Sequence, residues 1–107
     1  MEIEKIIERL SEPEKLIDPQ EINTLSAYLN GHIVDLEEVC WGLQLIASTK
    51  LHELSKEMSA TKAKDIEWKL TKEWQDWQIA ERQISQLKRY RSDLKSRFEV
   101  LMNYKRH

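Results

Sequence analysis

The sequence predicts an all-α protein: a small helical bundle with a long C-terminal helix of coiled-coil character, arranged as an antiparallel helical hairpin that dimerises. Three observations lead there. Gly and Pro together fill four of 107 positions, while 34% of residues are charged and 40% hydrophobic. Apolar residues recur every three or four positions, as helices with one buried face require. Residues 61–104 hold a seven-residue apolar repeat without a Gly or Pro. This composition excludes a turn-rich β-sandwich and low-complexity disorder. One helical domain is expected over 1–107, divided into short N-terminal helices and connectors (1–31), a second long helix (34–58) and the long C-terminal helix (61–104).

Taken in order, Ile3, Ile6, Ile7 and Leu10 form one stripe of a short helix. Ser11 and Glu14 have the spacing of a capping box, but Pro13 between them limits it to a connector with one helical turn. Asp18-Pro19-Gln20-Glu21 is a cleaner start signal. Asp18 caps, Pro19 takes the first helical position, where its missing N–H costs nothing, and Glu21 reaches back. Ile22, Leu25 and Leu29 continue the stripe, and Asn30-Gly31 is expected to end that helix.

Asp35 and Glu38 then suggest a second cap, followed by a stripe of Leu36, Val39, Leu43, Ile46, Ala47, Leu51, Leu54 and Met58. Gly42 inside this helix costs about 1 kcal/mol relative to Ala, which points to close approach of a neighbouring helix. Ser59-Ala60-Thr61 offers a turn. With Ala63 as position a, the a residues are Ala63, Leu70, Trp77, Ile84, Arg91 and Phe98. The d residues are Ile66, Glu73, Ala80, Leu87, Leu94 and Leu101. All but Glu73 and Arg91 are apolar, which predicts one helix about 65 Å long. So long a stripe outruns the other helices, and a second subunit is expected to cover the surplus. The candidate dimer seam is Glu73, Trp77, Ile84, Leu87, Arg91, Leu94 and Phe98, with Glu73 of one chain opposite Arg91 of the other in an antiparallel pair.

Charge is unevenly placed. Residues 1–60 hold twelve acidic and five basic groups, 61–81 five and four, and 82–107 two and eight, giving −7, −1 and +6 and the net −2. Such a chain can fold acid against base, pair with a copy of itself, or present its basic end to an anionic partner. Arg89, Arg91, Lys95 and Arg97, near Tyr90 and Tyr104, are the candidates for phosphate contact in a nucleic-acid-binding regulator, the alternative reading. No helix-turn-helix, zinc-finger or basic-zipper arrangement accompanies them.

The motifs of catalysis are missing from the sequence. Gly31 and Gly42 are the only glycines, so phosphate-binding glycine loops are absent. His32, His52 and His107 show no metal-ligand spacing, and the long helices lack Glu-x-x-His. Cys40 is the single cysteine, set on a helix beside Val39, which favours burial over reactivity. No enzyme activity, cofactor, metal or small-molecule substrate is expected. The N-terminal residues lack a secretory apolar core, and no run of about 18 apolar residues occurs, so a cytoplasmic location without a membrane partner is expected.

Four tryptophans in 107 residues are the unusual component. Trp77 fits the seam. Trp74 flanks it at e, Trp68 falls at f on the far side, and Trp41 lies beside the stripe of its own helix. Trp41, Trp68 and Trp74 are therefore the candidate partner-binding residues, since interfaces are enriched in Trp. The expected function is a non-enzymatic protein–protein interaction module: an adaptor, assembly factor or inhibitor of a larger complex. In style it resembles small accessory proteins of phages and mobile elements. A structural homo-oligomer is a further alternative.

Overall fold

A computed structural model describes residues 2–106, with side chains as far as Asn103; His107 and the Tyr104 side chain lie outside the described residues. Four α-helices and one 3₁₀ turn make up the described chain, with no strand among these residues: α1 (Ile3–Leu10), the turn (Pro13–Lys15), α2 (Pro19–Glu57), α3 (Thr61–Leu70) and α4 (Lys72–Arg106). The all-α class follows from the sequence as expected. The helix boundaries differ at two places, each for an identifiable reason.

The first difference is at Asn30-Gly31, where α2 runs on without a break and no described residue has positive φ. The buried or half-buried positions Ile22, Leu25, Leu29, Ile33, Leu36, Cys40, Leu43 and Ala47 keep three-four spacing straight through the expected stop. Burial along that stripe outweighs the preference of Asn-Gly for a turn. Asp35 and Glu38 are consequently interior helix residues and cap nothing. Cys40 lies on the buried stripe, whereas Val39 and Ile46, expected there, point outward.

The second difference is at Thr71, which divides the expected 61–104 helix. Its backbone is extended (φ −71°, ψ 148°). The Thr71 hydroxyl donates to the Trp68 carbonyl at 2.5 Å, and its oxygen accepts the Trp74 N–H at 3.2 Å. One side chain thus closes α3 and caps α4, which satisfies orphan groups on both sides of the joint.

The chain clusters into two compact units. The first comprises Met1–Asp35 and Ser85–His107. Its buried side chains are Ile6, Leu16, Ile22, Leu25, Leu29, Ile33, Leu87 and Leu94. Asp18 Oδ1 accepts the Gln20 N–H at 3.0 Å, the cap that the sequence predicts. Glu21 does not reach back to the cap; its Oε1 accepts from Arg9 Nε at 2.7 Å in an ion pair. Ser11 closes α1 by donating to the Glu8 carbonyl, so the Ser11/Glu14 box is not used. Arg97 Nε donates to the Leu16 carbonyl at 3.0 Å, and Arg91 Nη1 to Asn30 Oδ1 at 3.1 Å.

The second unit comprises Leu36–Ile84. Its core is Cys40, Ala80 and Ile84, with Leu36, Leu43 and Trp77 packed against it. Cys40 meets Glu81 and Ala47 meets Trp68, so numbering falls along one side of this unit as it rises along the other.

The dimer seam needs correction. Ile84, Leu87 and Leu94 are buried within the single chain, and Trp77 and Phe98 are half-buried there, so most of this stripe is already covered without a second copy. Arg91 reaches Asn30 in its own chain. Glu73 shares a surface hollow with Ile46, Thr49, Lys50 and Glu53. The spacing argument for a Glu73–Arg91 contact between chains therefore loses its premise: neither residue lies stranded in a buried seam.

Candidate functional site

Three groups of side chains in the second unit carry what chemistry the fold offers. The first is a tryptophan cluster across the α3–α4 joint. Trp68 meets Trp74 edge-on, with ring centroids 6.4 Å apart, and Trp77 at 6.2 Å. The Trp68 indole N–H donates to the Ala47 carbonyl of α2 at 2.8 Å. All three rings are half-buried. Trp68 and Trp74 are thus held largely by their own chain, the outcome that the f position of Trp68 made hardest to foresee. Thr71 explains it. By interrupting the helix, it releases α3 from the heptad register of α4, so Trp68 turns inward while Ala63, Ile66 and Leu70 turn out. Leu70, a seam residue by register, is 66% exposed.

The second group surrounds Cys40. Its thiol donates to Glu81 Oε1 at 3.4 Å, and the Trp77 indole N–H donates to the same oxygen at 3.2 Å. Burial, and then the hydrogen bond and charge of Glu81, push the thiol above its ordinary range; the negative charge of Glu37 adds to this, and a hydrogen bond from Trp77 opposes it. A thiol held protonated is a poor nucleophile, as its place on the buried stripe predicts.

The third group is the outward face of α2. Trp41 is 67% exposed, and Val39, Leu45 and Ile46 are each more than half exposed. Gly42 stands among them. A Cβ built there meets nothing within 4 Å, so no neighbouring helix of this chain approaches it. The close approach expected at Gly42 does not occur inside the molecule. What remains is an open notch on an apolar helix face.

The basic candidates are dispersed in their roles. Arg91 and Arg97 hold Asn30 and the Leu16 carbonyl, while Arg89 and Lys95 are exposed. His52 is exposed and His32 half-buried. No group of three or more His, Cys, Asp or Glu able to hold a metal ion occurs among the described residues. No helix among them is long and apolar enough to cross a membrane. Comparison with protein-family models, with curated proteins and with solved structures finds no match to this chain.

Sequence reasoning missed the outward stripe of α3. A signal was present: Thr71 followed by Glu73 in the next turn is an N-cap signature, even inside an unbroken heptad.

Proposed function

We propose that the chain is a non-enzymatic protein–protein interaction module, acting stoichiometrically as an adaptor, and that Trp41 is its principal anchor. The observation that carries this reading is the exposure of Trp41 together with Leu45, one turn further along α2. A large aromatic side chain left in water forgoes the burial that usually fixes it in a core, and aromatic anchors dominate binding energy at interfaces. Of the three residues that composition singled out as anchors, Trp41 is the one that the fold leaves outside the tryptophan cluster. Within the second unit, the reversed order of its contacts supports an antiparallel helical hairpin as the scaffold.

The test is Trp41→Ser in natively expressed protein. The substitution is expected to leave helicity and unfolding midpoint nearly unchanged, within about 0.5 kcal/mol, as for a surface site. It should remove a foreign protein from the purified assembly, read as a loss of mass by light scattering after size exclusion. An assembly of the same mass and composition in both proteins overturns the reading.

A further inference from the structure

We propose that the water-facing side of α4 in the first unit binds the phosphate backbone of duplex DNA without reading its sequence. The surface belongs to the other unit from Trp41, and the inference is independent of the adaptor reading.

The fold leaves the cations of this segment without carboxylate partners. Residues 85–103 hold five Lys or Arg against Asp93 and Glu99, a local balance of +3. Arg91 and Arg97 donate to neutral oxygens, the Asn30 amide and the Leu16 carbonyl, so their charge stays uncompensated. Arg89 and Lys95 are exposed and make no ion pair among the described residues. Asp93 stands four places beyond Arg89 and Glu99 four beyond Lys95, yet neither closes on its neighbour. Exposed pairs at that spacing are weak, and a phosphate competes with them readily.

The packing of α4 explains the surplus. The Arg91–Asn30 bond sets this part of α4 beside residues 22–34 of α2, which contain no Asp, Glu, Lys or Arg. Earlier carboxylates are engaged elsewhere, Glu21 with Arg9, Glu12 with Lys15 and Asp18 in the α2 cap. Glu2, Glu4, Glu8 and Glu14 belong to α1 and its flanks. The chain's net −2 does not govern this face, because salt screens charges beyond about 10 Å at 0.1 M.

The shape of the face suits phosphates on two strands. Ser85, Arg89, Ser92 and Ser96 recur at spacings of four, three and four, which is one stripe of a helix, and all are exposed. Arg89 stands three places before Ser92 and Lys95 three after, so they lie about 60° to either side of it. The helix thus presents a low hydroxyl ridge with a cation on each flank. Arg, Lys and Ser are side chains that hold phosphate oxygens. No large apolar side chain is exposed from 85 to 99, so the face lacks the apolar centre of a protein–protein contact. Tyr90 is half-buried, which leaves no open ring on which an unstacked base could lie. The major groove of B-DNA, about 12 Å wide, admits an α-helix about 10–12 Å across, whereas the A-form RNA groove is too narrow.

Anisotropy of a short labelled DNA duplex with the purified, nuclease-treated full chain tests the proposal. About three phosphate contacts give a slope of about −2.7 in log affinity against log salt, or a loss of about 40-fold between about 50 and 200 mM. Arg89→Gln with Lys95→Gln should flatten that slope by about 2 and weaken low-salt binding at least tenfold. Asp93→Asn with Glu99→Gln should tighten binding. Lys62→Gln with Lys72→Gln removes the same charge from exposed sites of the other unit and should leave affinity within about twofold. All six positions are exposed, and circular dichroism first confirms native helicity in each variant. No binding at low salt overturns the proposal, as does an equal loss from the Lys62/Lys72 pair. Displacement by polyglutamate as effective as by unlabelled duplex would reassign the face to an acidic protein, and equal binding of duplex RNA would remove the groove argument; both overturn it. Each of these outcomes leaves the Trp41 test standing, because that test reads a foreign protein.

Discussion

The indole N–H of Trp68 donates to the carbonyl of Ala47 at 2.8 Å, joining α3 to the C-terminal half of α2 through the second lone pair of a helical carbonyl. Trp68 lies at the heptad position furthest from the expected seam, yet it anchors the tryptophan cluster. Trp68→Phe keeps most of the ring and loses the hydrogen bond, an expected cost of about 1 kcal/mol. Trp68→Ala should cost about 2–3 kcal/mol, less than a fully buried aromatic because the ring is half-buried. Urea unfolding checks both; midpoints equal to wild type would place Trp68 outside the packing.

Gly31 lies within α2 with nothing within 4 Å of an added Cβ. Gly31→Ala is therefore expected to stabilise the protein by up to about 1 kcal/mol, the difference in helix propensity. A loss of stability would mean that α2 breaks at Asn30-Gly31 in solution. Thermal unfolding followed by circular dichroism distinguishes the two.

Thr71 caps α4 through its hydroxyl. Thr71→Ala should cost about 1 kcal/mol, while Thr71→Ser should retain most of the cap. Chemical denaturation of the two variants gives the comparison. If Thr71→Ala instead stabilises the protein and raises helicity, α3 and α4 have joined into the continuous helix that the heptads describe.

Cys40 titrates above its ordinary value of 9.0 because burial, and then Glu81, disfavour the thiolate. The folded state holds the proton more tightly than the unfolded chain. The resulting stability is fully present below pH 9.0 and is lost as pH rises through the higher folded value. The stability difference between wild type and Cys40→Ala should thus shrink above that pH. Glu81→Gln removes the nearby charge and should speed alkylation of the folded protein at pH 8. Alkylation as fast as that of a free thiol in the wild type would contradict this account.

Local signals were legible where nothing in the fold opposed them. The Asp18 cap, Pro19 at the first helical position, the burial of Ile6 on the α1 stripe (though Ile7, expected beside it, is exposed) and the burial of Ala80, Ile84, Leu87 and Leu94 follow from spacing and backbone chemistry. Signals in conflict with packing were not. Asn30-Gly31 has the chemistry of a stop, and the apolar stripe on either side of it overrides that chemistry. Thr71 stands inside an unbroken heptad and stops the helix because its side chain completes a joint held by Trp68 and Ala47.

The anchors followed the same division. That tryptophan would matter was evident from four copies in 107 residues. That Trp68 would be covered was decided by the joint at Thr71, which turns Trp68 inward and Leu70 outward; Trp41 faces water because it lies off the buried stripe of α2. Periodicity along one chain determines that helices form and which face of each is apolar. Only tertiary structure decides which apolar faces find cover, because burial depends on where another helix lies, and a single helix does not record that.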